Sequence, residues 1–318
     1  MSDPGAARAA DTKPTASPLP PLAVVVVNWN GRADLADCFA SLGDPDYPEL
    51  RLIMVDNGSE DDSVAWTRMH HPEVEIIETG QNLRWAGGNN AALIKLAEEG
   101  FDGAILLLNN DTIVPQGSLR RLVVALQDDP DAWAATPRIC YAHDPARAWY
   151  DGGVVGSWSG WVRHVGIRRM AGQLDPEPRY VDYGTGCALL LGPGVITRIG
   201  LLDESFYFYG EDADYSLRII AAGGKILHVP KSIVLHKVSA SVGGTTPKKV
   251  WLRSRSHVHL LKKHWPRRRW PVLFFCQVGF LAGHAVWHLW QGRPSTALAL
   301  VQGCLLYTSP SPRDNPPH

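Results

Sequence analysis

The sequence predicts an α/β protein: one open, mostly parallel sheet with helices on its faces, followed by a basic helical appendage. Three observations carry this. Short aliphatic runs alternate with stretches of helical periodicity, each run ends in a polar turn, and no Asp or Glu occurs between Asp214 and Asp314 while Lys and Arg continue.

The run Ala23-Val24-Val25-Val26-Val27 is short, β-branched and followed by Asn30-Gly31, as expected of a buried parallel strand that ends at a helix cap. Leu35, Cys38, Phe39 and Leu42 then recur at helical spacing. Leu52 to Val55 predicts a second strand ending in Asp56-Asn57-Gly58-Ser59, with a capped helix opening between Asp61 and Ser63. Val74 to Ile77 predicts a third, followed by a Gly/Asn-rich turn from Asn82 to Asn90 and a helix through Ala91, Leu93, Ile94 and Leu96 that stops at Gly100. Ala104 to Leu108 predicts a fourth, ending in Asn109-Asn110-Asp111. After Pro115 the alternation loosens into a helix at Leu119 to Leu126, strands broken by Gly-rich turns between Asp151 and Gly160, and a strand from Tyr183 to Leu191. A further helix opens in Gly210-Glu211-Asp212 and closes at Gly223-Gly224.

At 318 residues the chain accommodates one large α/β domain and an appendage, and its formal net charge of −1 hides a basic C-terminal third. Lys248, Lys249, Arg253, Arg255, Lys262, Lys263 and Arg267 to Arg269, with Trp251, Trp265 and Trp270 beside them, suit an anionic bilayer surface. The block runs into an apolar segment and not into a nucleic-acid module, so no nucleic-acid partner is expected. Cys38, Cys140, Cys187, Cys276 and Cys304 form no CxxC or paired spacing and read as free thiols of a cytoplasmic protein. The expected organisation is a disordered tail over 1–21, a catalytic domain over 22–240, a basic amphipathic appendage over 241–303 and a non-natural stretch over 304–318. Residues Cys304 to Asp314 read CLLYTSPSPRD, which in-frame translation of a common sequencing-library adapter gives.

In an open α/β sheet, ligands bind beyond the carboxyl ends of the strands. Asn28, Asn30, Asp56, Asn82 and Asp111 sit at those ends and would line one crevice. Singly, each has a plainer explanation: Asp56 as a turn former, Gly87-Gly88 as a helix entry, Asp111 as a cap, His236 as a structural strand-end histidine, and Glu211, Asp212 and Asp214 as partners of a helix dipole. The first strand ends in NWNG, without a GxGxxG, which speaks against a dinucleotide oxidoreductase.

Taken in order, VVVVNWNG, IMVDNGSEDDS, NLRWAGGNNAAL, LLLNNDT, TGCALLLG and FYFYGEDADYSLR resemble the successive motifs of family-2 glycosyltransferases, over roughly Leu22 to Arg269. The resemblance is greatest to bacterial rhamnosyltransferase-like members. It implies a GT-A fold, a single Rossmann-like open mixed sheet flanked by helices, and inverting transfer of a sugar, rhamnose being favoured, from a dTDP- or UDP-sugar to a glycan or lipid-linked acceptor in cell-surface polysaccharide synthesis. By the same resemblance Asp56 accepts a hydrogen bond from the nucleobase, and Asn28, Asn30, Asn82, Arg84, Gly87 and Asn110 complete the donor site. Asp111 and His236 hold a divalent cation, Mg or Mn, on the donor diphosphate. Asp212, beside Glu211, is the general base that deprotonates the acceptor hydroxyl. The chain departs from the family pattern at Asn109, which stands where the first acid of a DxD motif is expected. That departure leaves a second reading, a degenerate transferase that holds nucleotide-sugar or glycan without turnover. Phe206-Tyr207-Phe208-Tyr209 would form a partly dry wall for a sugar ring, and Trp158 and Trp161 pack a hairpin or stack on acceptor sugar.

From Trp270 to Trp290 the chain is apolar, with Gln277, His284, His288 and Gln291 on one stripe of a helical wheel. The stripe predicts a helix lying along the inner face of the plasma membrane, peripherally attached and beside a lipid-linked acceptor. Its length also suffices to span, and packing against the domain or in a homodimer is the third reading.

Overall fold

The computed structural model describes residues 19–43, 47, 49–238 and 246–305. Most of the expected tail (1–18) and most of the adapter-like stretch (306–318) therefore lie outside the described residues. Residue Leu19 packs on the core, and the Pro21 carbonyl accepts from Ala104 N at 2.9 Å.

The first half alternates as the sequence predicts: β1 (Leu22–Asn28), α1 (Arg32–Leu42), β2 (Leu50–Asp56), α2 (Ser63–His70), β3 (Glu75–Glu78), α3 (Arg84–Glu98) and β4 (Ala104–Asn109). There follow β5 (Thr112–Ile113), α4 (Ser118–Gln127), β6 (Ala132–Tyr141), β7 (Asp144–Tyr150), β8 (Gly153–Val155), β9 (Val162–His164), β10 (Arg179–Val181), β11 (Ala188–Leu191), α5 (Val195–Ile199), α6 (Glu211–Ala221) and β12 (Lys225–His236). The appendage is α7 (Pro247–His264), α8 (Trp270–Trp290) and α9 (Pro294–Leu305).

One mixed sheet runs in the order β10-β12-β6-β11-β4-β1-β2-β3, with β5 on β12 and β7 on β6. Period-two alternation along β1 divides the core into two layers. Leu22, Val24 and Val26 face α1 and α4, whose Leu35, Phe39, Leu119 and Leu122 cover them. Ala23 and Val25 face α3 and α6, covered by Leu93, Leu96, Tyr215 and Ile219. Each aliphatic side chain so buried contributes about 1.5–3 kcal/mol against chain entropy.

Three local expectations change. The stretch Asn82 to Asn90 is not a turn: α3 begins at Arg84, and Gly88 lets it seat tightly, because a Cβ there would stand 2.7 Å from Val27 Cγ1 and 2.9 Å from Asn57 Nδ2. The strand expected from Tyr183 starts only at Ala188, and it runs antiparallel between β4 and β6. That reversal matters, since the amino end of β11 now lies level with the carboxyl end of β4, where Ala188 faces Leu108. The Gly-rich stretch after Asp151 forms a separate antiparallel hairpin, β8–β9.

Helix α8 has 21 residues, about 32 Å at 1.5 Å per residue. Its polar stripe does not face water throughout: His288 is buried, and Gln277 Nε2 donates to Ser159 O at 3.0 Å. His284 and Gln291 remain exposed. The outward face is apolar, with Phe274, Phe275, Val286, Trp287 and Trp290 bare, Phe275 and Trp290 at 74% and 81% exposure.

Candidate active site

Register pairing brings the donor half together first. In the β1–β2 ladder Asn28 stands opposite Asp56, and Asn28 Nδ2 reaches Asp56 Oδ1 at 3.3 Å and Ser59 Oγ at 3.2 Å. Asn110 Nδ2, at the end of β4, donates to Asn28 Oδ1 at 2.9 Å. Asp56 Oδ2 accepts from Ser59 N at 2.9 Å, and Asn30 Oδ1 accepts from Glu60 N at 2.7 Å. Only glycine fits at position 31, because a Cβ would lie 2.1 Å from Asn110 Nδ2 and 2.5 Å from Asn28 Oδ1. This polar mesh holds the Asp56 carboxylate fixed at the strand end, buried to 4% exposure.

The loop before α3 closes one side. Asn82 Oδ1 accepts from Arg84 N at 2.8 Å, and the Arg84 guanidinium lies 3.3 Å from the centre of the Tyr207 ring. Gly87 faces Leu83 and Glu204, so the space its missing Cβ leaves is taken by protein. Asn30, Arg84 and Tyr209 each hold a positive φ (51°, 64° and 70°) although none is glycine. Such left-handed residues cost on the order of 1 kcal/mol or more, and they cluster where geometry is held for function.

The metal half forms where β5 pairs with the end of β12, placing Thr112 opposite His236. His236 Nε2 and Asp111 Oδ1 then face one another at 3.1 Å, both largely buried, and Lys237 N donates to Asp111 O at 2.9 Å. Burial opposes protonation of His236, but the adjacent Cys187 and Asp111 outweigh it and push the imidazole up to about 10. Burial raises the Cys187 thiol above its ordinary value. His236 Nδ1 is buried without a hydrogen-bond partner. Among the described residues no third His, Cys, Asp or Glu closes a cage. One carboxylate and one imidazole are ligands a divalent cation accepts, and the remaining ligands would have to come from donor phosphate oxygens and water.

The segment Thr185–Cys187 joins this half to Asp212. Asn109 N donates to Cys187 O at 3.0 Å, Gly186 N donates to Asp212 Oδ2 at 3.0 Å, and Gly186 lies flat on the Trp85 ring, where a Cβ would come within 2.7 Å. Ala213 N donates to Asp212 Oδ1 at 2.8 Å. Burial raises Asp212 above the ordinary carboxylate range, partly offset by those backbone donors, and burial with the Asp212 charge beside it raises Glu211. Glu211 Oε2 is buried with no partner. A continuous run of contacts thus leads from Asp56 through Asn28 and Asn110 to Asp111 and His236, and through Cys187 and Gly186 to Asp212. Asn28, Asn30, Asp56, Arg84, Asn110, Asp111, Glu211, Asp212 and His236 come together along it, with Asn82 at its edge and Gly87 turned into packing.

In the aromatic segment before α6 Phe208 is exposed, and its neighbours are engaged with protein. Phe206 is in the core, Tyr207 carries Arg84, and Tyr209 carries Arg253 of α7, whose Cζ is 4.8 Å from the ring centre. Helix α7 grips this segment along its length. Ser256 Oγ donates to Phe208 O at 2.8 Å, His259 bonds Ser205 Oγ at 2.7 Å, and His264 and Lys263 reach Asp214 at 2.7 and 2.8 Å. Sequence reasoning attached no role at the site to Gly186, Cys187 or Trp85 and read Arg253 only as part of the basic surface block; TGCALLLG was visible as a motif, whereas the grip of α7 had no local signal. A groove of about 820 Å³ lined by Arg121, Asp129, Arg179, Tyr180 and Lys231 lies toward the opposite end of β12 from His236 and takes no part.

Known proteins share this fold. The mannosyltransferase PcManGT from Pyrobaculum calidifontis, solved with GDP-Man and Mn2+, superposes with a TM-score of 0.60 at 14% identity, covering 94% of this chain and 90% of that one. The structure of GalNAc-T7 with UDP, GalNAc and Mn2+ gives 0.59 at 17% identity over 79% of this chain, which spans 49% of that longer one. The common architecture is the GT-A fold expected from the sequence. In sequence, the N-acetylglucosaminyl-diphospho-decaprenol L-rhamnosyltransferase of Mycobacterium tuberculosis is 28% identical over 243 residues, 70% of this chain and 78% of that protein. Residues 23–188, from β1 to the first residue of β11, match glycosyl transferase family 2. That span supplies Asn28, Asp56, Asp111 and Cys187 and makes up more than half of the chain, which therefore belongs to glycosyl transferase family 2.

Proposed function

We propose that this chain transfers a sugar, with inversion, from a dTDP- or UDP-sugar to a lipid-linked glycan acceptor at the inner membrane face, and that rhamnose is the sugar moved. The single observation that carries the reading is the unbroken contact path from Asp56 to Asp212, which gathers acids 156 residues apart onto one edge of the sheet (212 − 56). The relation to a rhamnosyltransferase whose acceptor is diphospho-decaprenol-linked supports the choice of donor and acceptor.

Asp56 offers a buried, oriented acceptor to a nucleobase N–H, and Arg84 a planar cation to the donor phosphates. Asp111 and His236 would hold a divalent ion, which when bound would supply charge neutralisation for the diphosphate. Asp212 takes the acceptor hydroxyl's proton; its raised affinity for protons, from burial, strengthens it as a base while backbone donors keep it ionised and oriented. Glu211, buried and without a partner, is the acid that stays neutral beside it. The bare apolar face of α8, preceded by Arg267–Arg269, would rest in an anionic leaflet.

The test is consumption of dTDP-rhamnose, UDP-galactose, UDP-glucose and GDP-mannose by the purified protein with Mn2+ or Mg2+, and after chelation. Turnover of one donor that stops on chelation is expected. Asn109 favours a second reading, a binding protein without turnover, since its amide side chain brings no carboxylate charge to a cation on the donor diphosphate. Tight donor binding with no consumption under any metal would establish that reading instead.

A further inference from the structure

We propose that the tip of the β8–β9 hairpin and the start of α8 form a binding site for the phosphate or diphosphate of the acceptor, with Arg269 as its cation and Trp158 as the flat surface beside it. The inference rests on the transferase reading above and names where that acceptor is held.

The hairpin joins two places. At its base Gly153 bridges Tyr183, a position where a Cβ would meet the Tyr183 ring at 2.3 Å, and Val155 N donates to Asp182 Oδ2 at 2.8 Å. The His164 ring there packs on Trp149 at 4.5 Å, and Trp149 in turn packs on His236 at 4.7 Å. The base therefore belongs to the metal half of the active site. At the tip, Trp265 Nε1 donates to Ser157 O at 3.1 Å, Arg269 Nη1 to the same oxygen at 3.3 Å, and Gln277 Nε2 to Ser159 O at 3.0 Å. Gly160 is pressed so closely against Leu261 that a Cβ would lie 2.0 Å from Leu261 Cδ2. The tip is thus riveted to the root of the apolar helix, and Ser159 and His164 stand five positions apart, at most about 18 Å of extended chain.

At that root the chemistry suits an anion lodged at a bilayer surface. The Arg269 guanidinium lies 5.5 Å from the centre of the Trp158 ring, and Trp158 is 67% exposed. Among the described residues no carboxylate pairs with Arg267, Arg268 or Arg269, and the sequence holds no Asp or Glu from 215 to 313. Bare apolar side chains begin with Trp270 and Val272, so these guanidinium groups stand where lipid gives way to water. A planar guanidinium binds phosphate oxygens in pairs, and an indole face tolerates the adjoining lipid. A phosphate on a membrane-held acceptor would be gripped here while its sugar extends along the hairpin toward Asp212, the hairpin setting the reach.

Two acceptors separate this site from general lipid attraction: a sugar joined through a diphosphate to a short water-soluble alkyl chain, and the same sugar as an alkyl glycoside without phosphate. Wild type is expected to prefer the first. Arg269→Gln should raise KM for the diphosphate acceptor about tenfold, the loss of one charge-assisted pair, and shrink the preference to match. Trp158→Ala should act in the same direction, and Arg269→Lys, which keeps the charge without the fork, should recover part of the loss and show that the fold is intact. Donor affinity should hardly move in Arg269→Gln, and its sedimentation with phosphatidylglycerol vesicles should weaken no more than that of Arg267→Gln, which loses the same charge from the same surface. Equal preference in wild type and Arg269→Gln, or a loss confined to vesicle binding, overturns the proposal. If wild type transfers to neither acceptor, calorimetry with the alkyl diphosphate decides: binding that weakens in Arg269→Gln keeps the site while the transferase reading fails, and unchanged or absent binding removes the site.

Discussion

Two groups of buried acids in this protein are built in opposite ways. Asp151 is surrounded by cations: Arg138 Nε at 2.6 Å, Arg179 Nη2 at 2.7 Å and His228 Nε2 at 3.1 Å. Against the cost of burial, these partners hold it down to about 2. Glu211 is buried and Asp212 beside it half-buried, yet among the described residues neither pairs with a cation, and both are raised. Asp214, two residues on, returns to the first pattern through Arg218, Lys263 and His264. A buried acid with its charge matched is an anchor, here tying β6, β10 and β12 together. One left unmatched costs stability and is kept for chemistry or for an ion the site receives.

The contrast can be broken most forcefully by exchanging each acid for its amide. Asp212→Asn should lower kcat by about a thousandfold, the scale of a lost general base, while the donor dissociation constant measured by calorimetry changes little. Retained turnover would show that the unmatched acid is not the base. Asp151→Asn should cost about 3–5 kcal/mol in denaturant unfolding, because Arg138 and Arg179 are left without their counter-charge. Asp212→Asn should be neutral or stabilising by about 1 kcal/mol in the same assay.

Acidity sharpens the contrast next. Asp151 is held below its ordinary 3.8, so its contribution to stability is present above that value and fades as pH falls toward about 2. Glu211 and Asp212 are held above their ordinary values, so theirs is present below the ordinary carboxylate range and is lost as pH rises from there toward neutrality. Glu211→Gln should therefore flatten the loss of unfolding free energy between about pH 4 and neutral pH relative to wild type. An unchanged slope would mean that the pair is already ionised when folded.

The smallest effect concerns the third acid. His264→Ala removes one of three partners from Asp214, so stability should fall by about 1 kcal/mol and kcat by a few-fold as α6 and its preceding loop loosen. A fall as large as that of Asp212→Asn would show that α7 takes part in the chemistry itself.

How far this contrast could be read beforehand follows from distance along the chain. The strand ends carrying Asn28, Asp56 and Asp111 announce themselves because β-branched runs, polar turns and helical spacing are local signals. The start of α3 at Arg84 was hidden, since glycine and asparagine normally signal turns and here the missing Cβ of Gly88 serves helix-to-strand packing. The antiparallel setting of β11, which delivers Gly186 to Asp212, leaves no mark on ALLL, because a strand buried on both faces reads alike in either direction. Asp151 looked like part of a glycine-rich turn, and its partner His228 is 77 residues away. The hold of α7 on Tyr209 and Asp214 is likewise a matter of tertiary contact alone.

The uncovered face of α8 has a practical consequence. In plain buffer, Phe275 and Trp290 would turn toward another molecule of the same protein, so hydrodynamic size should track detergent concentration. Kinetic constants collected without a micelle or lipid disc would then describe clustered particles.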